Sequence, residues 1–346
     1  MEESIKNRLI TTFSELGEGM VKWGEDKPKE DFGRFMAEYY ETMNDLIKRE
    51  KAFNGWFTEE AVRSSLFHLG QRLNREDLTE WLSNLTPEAQ PEKVGIIMAG
   101  NIPLVGFHDF LSVILTGNKA VIKLSSDDNR LFPEIVRILI DLQPDLGERI
   151  KMVDKLSGVD KVIATGSNNS ARYFEKYFGH LPNIIRKNRT SVAVIDGTET
   201  KEELELLGKD IFTYFGLGCR NVSHLIIPEN FDLDRFFGAI VDYGAIINHH
   251  KYANNYDYYK AIYLMNQEKI IENGFVLLKE SEDLFSPIAV LFYHRYSKKD
   301  EVQKYLSRHK ENIQVVVGHG YTEFGLAQSP RLDDYADGIN TLDFLC

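Results

Sequence analysis

Cys219 is the side chain in this sequence with the clearest capacity for chemistry. It closes the loop Gly216-Leu217-Gly218-Cys219, between the predicted end of a helix and the predicted start of a strand. Glycines there give the backbone freedom and let its N–H groups approach a ligand closely. Cysteine attacks as the thiolate, which Arg220 or nearby backbone dipoles could help to stabilise. The loop predicts a nucleophilic cysteine, although by itself it also fits a buried and inert one.

Two other glycine-bearing turns follow predicted strands. Residues 99–103 (AGNIP) follow the run VGIIM, and residues 165–168 (TGSN) follow the run KVIAT. Nucleotides bind at the carboxyl ends of parallel strands, and the positive end of a following helix suits phosphate. Neither turn has the spacing GxGxxG, and taken singly each also fits an ordinary strand-to-helix connection.

Short β-rich runs alternate with helical segments from Lys93 onward, which is typical of mostly parallel sheets covered on both faces. A second α/β unit starts near Thr190, and the chain before Lys93 has helix-type periodicity. We therefore predict an α/β fold with two wound lobes and a helical N-terminal segment. The predicted strands are VGIIM, KAVIKL, RIKMV, KVIAT, SVAVID, VSHLIIP, IAVLFY and IQVVVG, and the predicted helices include LVGFHDFLSVILTGN, KEELELLGKDIFTYF and FDLDRFFGAIVDYGAII.

Four segments follow from these patterns, with the Pro-containing stretch LTPEAQPEK at 85–93 as the first boundary. They are a helical N-terminal segment at 1–90, a first α/β lobe at 91–189, a second α/β lobe with Cys219 at 190–320, and a tail at 321–346 that packs back on the body.

Composition excludes several classes of protein. The 346 residues are 43% hydrophobic and 27% charged, which is ordinary for globular domains. With a net charge of -12 and no basic block, binding to nucleic acid or to a membrane surface is not expected. No segment approaches the roughly 20 apolar residues of a membrane span, and no signal peptide is apparent, so we expect a cytoplasmic protein.

The cysteines and histidines do not predict a metal site. Cys219 and Cys346 are too few for a disulfide framework or a cysteine-based zinc site. Adjacent side chains such as His249 and His250 diverge on a helix instead of converging on one ion. We predict two free thiols and no bound metal, and we interpret His249, His250 and Tyr252 as structural residues of a polar helix.

Five segments occur in the order seen in the aldehyde dehydrogenase superfamily, which this sequence resembles from about residue 91 to 346. They are AGNIPL, GNKAVIKLSS, IATGSNNSA, FGLGC and DLFSPIAV. The resemblance implies an oxyanion-hole amide from Asn101, the catalytic nucleophile Cys219, and cofactor-binding residues elsewhere. The implied cofactor-binding residues are Lys123, Ser126, Thr165, Gly166, Ser167 and Asp283.

Within that superfamily, the short length, the loop FGLGCRNVSHLIIP and the tail SPRLDDYADGINTLDF are most similar to acyl-CoA reductases related to the luminescence fatty acid reductase. Hydrolytic relatives carry a glutamate base between the TGS turn and the cysteine. Residues 186–190 hold no carboxylate, so the resemblance implies acyl transfer and reduction instead of hydrolysis to a free acid.

The cofactor implied by the resemblance is NADPH, with NADH as the alternative. Ser126 stands where NAD-preferring relatives often carry a glutamate that repels a 2'-phosphate. An inward Asp127 or Asp128 would reverse this preference. Asp283 stands where relatives have a longer glutamate, Glu282 could substitute for it, and Ser286 replaces the usual glycine of that turn.

The predicted function is an oxidoreductase of fatty acid metabolism that reduces a long-chain acyl-CoA or another activated acyl group to the aldehyde through a Cys219 thioester. One alternative is an acyl-phosphate or short-chain semialdehyde dehydrogenase. Another is a weakly active subunit that docks an acyl-activating ligase. The expected partners are an acyl donor, an acyl-activating ligase, and further copies of the chain in a homo-oligomer.

Overall fold

The computed structural model describes residues 3–83, 85 and 90–346, so part of the predicted boundary at 85–93 lies outside the described residues. The chain divides into two compact units. Unit 1 comprises Met1–Lys187 and Arg331–Cys346, and unit 2 comprises Asn188–Pro330.

Among the described residues, four α-helices precede the first strand, and helices and strands are interspersed along the rest of both units. The helices are α1 (Glu3–Gly24), α2 (Tyr40–Phe53), α3 (Glu59–Arg72), α4 (Arg75–Trp81), α5 (Phe107–Leu115), α6 (Leu131–Leu142), α7 (Asn168–Phe178), α8 (Lys201–Phe212), α9 (Leu233–Ala239), α10 (His250–Met265), α11 (Lys299–Arg308) and α12 (Thr341–Leu345). The strands are β1 (Lys93–Ile97), β2 (Lys119–Lys123), β3 (Ile150–Met152), β4 (Lys161–Thr165), β5 (Asn183–Arg186), β6 (Thr190–Val194), β7 (Val222–Pro228), β8 (Ile270–Glu272), β9 (Leu277–Glu280), β10 (Val290–Tyr296) and β11 (Ile313–Val317).

The helical N-terminal segment shares one hydrophobic core with the sheet of unit 1. Apolar residues of α1 recur every three or four positions and form one buried stripe. Each such large side chain contributes roughly 1.5–3 kcal/mol when it leaves water. A Cβ added at Gly17 of α1 would lie 2.5 Å from Leu73 Cβ, and one at Gly70 of α3 would lie 2.7 Å from the Gly17 carbonyl. These two glycines let the α1 and α3 backbones pack in direct contact.

The unit 1 sheet has five parallel strands in the order β3-β2-β1-β4-β5. Strand β1 lies between β2 and β4, with Ile97 opposite Lys123 on one side and Ala164 on the other. The strand order reverses beside β1, which is the position where open α/β sheets bind ligands. The sheet therefore brings the turns after β1, β2 and β4 to one edge.

The unit 2 sheet has six strands in the order β11-β6-β7-β10-β9-β8, and only the β8–β9 pair is antiparallel among the described strands. The prediction of an α/β fold with two wound sheets and a helical N-terminal segment is confirmed. The short strands β5, β8 and β9 were not predicted.

One predicted helix is divided. The segment FDLDRFFGAIVDYGAII forms α9 and then a 3₁₀-helix over Val241–Asn248. Tyr243 lies over Gly208 of α8, where a Cβ would be 2.4 Å from its ring, and its hydroxyl donates to the Glu205 carbonyl. This tertiary packing favours the tighter helix over a continuous α-helix.

The C-terminal segment 331–346 belongs to unit 1. The Asn118 side-chain amide donates to the Leu345 carbonyl at 3.0 Å, and His108 Nε2 donates to the Leu332 carbonyl at 2.9 Å. A buried ion pair between Arg186 and Asp109 supports the same segment, because Arg186 also donates to the Thr341 hydroxyl. Among the described helices, none has the length and apolar character needed to cross a membrane.

Candidate active site

The loop of unit 2 that carries Cys219 lies between α8 and β7, and its thiol is exposed. The preceding residues Tyr214, Phe215 and Gly216 have φ values of +53°, +60° and +79°. Non-glycine residues adopt this left-handed conformation only where the surroundings hold them in it, and such residues cluster at functional sites. Because its thiol is exposed, Cys219 is not the buried, inert cysteine that the sequence of the loop also allowed.

Asn221 holds this loop, a role that sequence analysis missed. Its side-chain oxygen accepts the Gly218 N–H at 2.8 Å, and its backbone N–H donates to the Gly218 carbonyl. Its side-chain nitrogen reaches three carbonyls at the end of α8, those of Asp210, Ile211 and Thr213, at 2.8–3.2 Å. One buried amide thus connects the open end of a helix to the turn before the thiol.

Further contacts hold the residues on either side of the thiol. The Ser191 hydroxyl donates to the Cys219 carbonyl at 3.0 Å. Arg220 Nη1 donates to the Ala327 carbonyl at 3.3 Å. Asp210, whose pKa is raised to about 6 by burial, accepts the Gly325 and Ala327 N–H groups. The Arg220 guanidinium, which could stabilise the thiolate, therefore binds the same loop whose backbone N–H groups donate to the buried Asp210 carboxyl.

Asp283 is exposed in the loop before β10. His224 Nδ1 donates to its carbonyl at 2.8 Å, and the Tyr305 hydroxyl donates to the Glu282 carbonyl at 3.2 Å. His224 Nε2 accepts from His294 Nδ1 at 2.6 Å. Burial, together with the adjacent His294, lowers the pKa of His224 to about 3. The neutral, buried His224 therefore holds the loop that contains Asp283. Sequence analysis did not identify this role, because His224 and Asp283 are far apart in the sequence.

Unit 1 carries the remaining predicted site residues at the carboxyl edge of its sheet. Asn101 is exposed in the turn after β1. Lys123 ends the neighbouring β2, and its carbonyl accepts the Met98 N–H at 3.0 Å. A Cβ at Gly100 would lie 2.6 Å from Ser125 Oγ. The absence of a side chain at position 100 therefore lets the turns after β1 and β2 approach each other.

The turn after β4 leads into α7. The hydroxyl of Ser167 accepts the Ser170 N–H at 3.2 Å and caps the helix. Thr165 and Gly166 are half-buried, and a Cβ at Gly166 would lie 2.9 Å from that of Ser170. The backbone there can approach an anion at the positive end of α7.

The two aspartates after Ser126 differ in burial. Ser126 and Asp127 are exposed, whereas Asp128 is 5% exposed. Asp128 Oδ2 accepts the Leu104 N–H at 2.7 Å, and Oδ1 is also buried. Asp128 is thus the inward residue of the two, and its carboxyl binds the Leu104 N–H of unit 1.

His249 and Tyr252, which sequence analysis interpreted as structural residues, make capping and packing contacts. His249 caps α10 by accepting the Tyr252 N–H, and its ring lies 4.3 Å from that of Phe215. Tyr252 is buried. These contacts agree with the structural interpretation of the polar helix.

One group of described residues has the geometry to hold a metal ion. Ligand atoms of Asp196, Glu199 and His319 lie within 4.8 Å of one another, beyond the ends of β6 and β11. Hydrogen bonds to Glu203 and Asp196 raise the pKa of His319 to about 9, so an ion would have to displace a firmly held proton. Sequence analysis did not identify this group, because His319 lies far from Asp196 and Glu199 in the sequence. That the protein binds no metal stays a prediction.

Several groups that could hold a nucleotide lie at the edge of the unit 1 sheet. This edge combines the cation of Lys123, the close backbone approach at Gly100 and Gly166, and the capped N-terminus of α7. These features suit ribose hydroxyls and phosphates, and they occur at the point where the strand order reverses.

Comparison with known proteins gives a family match that covers more than half of the chain and includes parts of both units. The family profile described as acyl-CoA reductase (LuxC) matches residues 31–230. A long-chain acyl-protein thioester reductase from Aliivibrio fischeri is 28% identical over 166 residues, which are 41% of this chain and 34% of that protein. The match thus spans about a third of the length of that relative.

Solved aldehyde dehydrogenases share the fold. Aldehyde dehydrogenase 21 from Physcomitrella patens has a TM-score of 0.64 at 12% identity, covering 90% of this chain and 73% of that one. The NAD⁺ complex of an aldehyde dehydrogenase from Mycobacterium tuberculosis has a TM-score of 0.59 at 12% identity, covering 88% and 72%. The predicted aldehyde dehydrogenase-like fold is confirmed.

Proposed function

Because this chain belongs to the acyl-CoA reductase (LuxC) family, we propose that it reduces an activated acyl group to an aldehyde through a thioester on Cys219. The observation that carries the proposal is the exposed thiol of Cys219, in a loop that Asn221 holds from its buried side. An inert core cysteine would need neither exposure nor such support.

In the first step the Cys219 thiolate attacks the carbonyl carbon of the acyl donor. Negative charge develops on the carbonyl oxygen, and we assign the Asn101 side-chain amide and the Cys219 backbone N–H as its hydrogen-bond donors. The bond to the carrier thiol breaks, the carrier leaves as a thiol after taking up a proton, and the acyl group stays on Cys219.

A nicotinamide dinucleotide, with NADPH preferred over NADH, would when bound supply the hydride that takes the thioester to the aldehyde level. The exposed hydroxyl of Ser126 supports the preference, as does the burial of Asp128, whose Oδ2 accepts the Leu104 N–H. The residues assigned to hold this cofactor are Lys123, Ser126, Thr165, Gly166, Ser167 and Asp283.

The stretch 186–190 supports reduction over hydrolysis. Arg186 is buried in its ion pair with Asp109, and no carboxylate stands in this stretch to activate water. Cys219 then acts as the leaving group when the aldehyde departs. The acyl group would be long-chain and would come from acyl-CoA or from a protein-bound acyl donor supplied by an acyl-activating ligase.

The proposal is tested by incubating the protein with NADPH or NADH and acyl-CoAs of increasing chain length, while cofactor absorbance and aldehyde are followed. We expect aldehyde to form with NADPH, and Cys219→Ala to reduce the rate at least about a thousandfold. Cys346→Ser, which changes the other thiol, should retain the wild-type rate. Normal turnover by Cys219→Ala would refute the assignment, and activity only with acyl phosphates would favour the alternative dehydrogenase.

A further inference from the structure

The turn that carries Asn101 contains a strained residue three positions further on. Leu104 has a φ of +59° and is 2% exposed. A branched side chain adopts this left-handed conformation only where neighbouring groups impose it. The hydrogen bonds of the peptide group that precedes Leu104 show which residues impose this conformation.

The peptide group between Pro103 and Leu104 is clamped from both of its polar atoms. The Ser65 hydroxyl of α3 donates to the Pro103 carbonyl at 2.7 Å. Asp128 Oδ2, after β2, accepts the Leu104 N–H at 2.7 Å. Ser65 and Asp128 are 4% and 5% exposed, so water does not compete with either bond.

Among the residues that the structure describes, no cation forms an ion pair with the Asp128 carboxyl. A charged group that acts on it is Glu50 of α2, which is itself buried and paired with Arg130 at 3.0 Å. Asp128 Oδ1 has no hydrogen-bond partner. Burial raises the pKa of Asp128, the Leu104 N–H opposes this rise and Glu50 adds to it, and the net result is a pKa of about 7. Burial also raises the pKa of Glu50, while Arg130 opposes this.

We propose that Ser65 and Asp128 are positioning residues that hold the Asn101 turn for the acylation step by clamping the Pro103–Leu104 peptide group. The inference rests on the proposed function, in which Asn101 donates to the oxyanion. It gives the helical N-terminal segment a role in catalysis, because α3 provides one side of the clamp.

The carboxylate form of Asp128 accepts the Leu104 N–H more strongly than the protonated form does. The clamp is therefore firmest above pH 7 and weakens as the pH falls below about 7. A rate that depends on Asn101 falls with it, whereas a reaction of Cys219 that needs no oxyanion donor does not. This difference separates positioning from general damage to the protein.

Two reactions of Cys219 are compared in the full chain without nicotinamide cofactor: acylation by a long-chain acyl-CoA in a single turnover, and alkylation by iodoacetamide. Asp128→Asn and Ser65→Ala should slow acylation roughly tenfold, a part of the 10²–10³-fold effect of losing an oxyanion donor, and leave alkylation unchanged. Asp128→Asn should also flatten the ratio of the two rates between pH 6 and 8. Asp127→Asn, a change at the exposed neighbour, should match the wild type in both reactions.

Double variants test the route through Asn101. If the clamp acts on Asn101, then adding Asp128→Asn to Asn101→Ala should slow acylation no further. An additive loss, or equal losses of acylation and alkylation, would overturn the inference.

Amide hydrogen exchange over residues 101–106 provides a readout that does not depend on the reaction. Exchange should become faster in both clamp variants and stay at the wild-type rate in Asp127→Asn. Unchanged exchange in the clamp variants overturns the inference, whereas a wild-type protein that takes up no acyl group refutes the proposed function instead.

Discussion

At the scale of the residue, the thiol was identifiable in the sequence and its support was not. Cys219 stands in a glycine loop of recognisable type, but Asn221 gains its role from three carbonyls that only the end of α8 brings together. An asparagine has no sequence signature for that use. The same holds for Asp128, whose carboxyl accepts the Leu104 N–H from a turn 24 positions earlier in the chain.

Asn221→Ala should loosen the loop and destabilise unit 2. The change leaves the Gly218 N–H and the α8 carbonyls without this partner, and an unsatisfied buried group costs about 1–3 kcal/mol. We expect a loss of roughly 2–4 kcal/mol in urea unfolding followed by circular dichroism, together with faster alkylation of Cys219. Asn221→Asp keeps the acceptor for Gly218 but removes the donors, and should be intermediate. Wild-type stability in Asn221→Ala would contradict this role.

At the scale of the element, His319 connects the segment after β11 to the start of α8. Its Nε2 lies 3.0 Å from Glu203, which also forms the capping box of α8 with Thr200, and its Nδ1 lies 3.0 Å from Asp196. Periodicity predicted the helix and the strand, since both have regular apolar faces. It could not predict this contact, because the partners lie 116 and 123 positions from His319.

The stability of unit 2 should depend on pH through His319. Hydrogen bonds to Glu203 and Asp196 raise its pKa from 6.5 to about 9. The stabilisation is therefore complete below pH 6.5 and is lost as the pH rises through 9. We expect the Tm of the wild type to decrease as the pH is raised from 6.5 to 9, and we expect this decrease to be absent in His319→Gln. His250→Gln, a change at an exposed histidine of α10, should retain it. An equal slope in His319→Gln would exclude the contact.

At the scale of the whole molecule, the sequence predicted both sheets because buried parallel strands are continuous apolar runs. Short edge strands such as β5 and β8 carry too few residues for a pattern and were missed. The C-terminal segment was predicted to pack on the body. Residues 331–346 complete the core of unit 1 with Leu332, Leu342 and Leu345. Contacts with residues far away in the sequence determine where this segment packs, so its position could not be predicted from local patterns.

Leu345→Ala should destabilise unit 1, since the side chain is fully buried in that core. Truncation of a buried leucine costs about 2–5 kcal/mol. All three tryptophans, Trp23, Trp56 and Trp81, lie in unit 1, so their fluorescence during unfolding reports this unit. Ile339→Ala, at a 41% exposed position of the same segment, should have little effect. Equal midpoints for the two variants would contradict the packing of the segment.

The most direct test of the central claim is mass spectrometry of the protein after incubation with a long-chain acyl-CoA, first without cofactor and then with NADPH. The account predicts one acyl group on the peptide that contains Cys219, its loss with release of aldehyde when NADPH is added, and no adduct in Cys219→Ala. An unmodified Cys219, or an acyl group that NADPH does not remove as aldehyde, would contradict it.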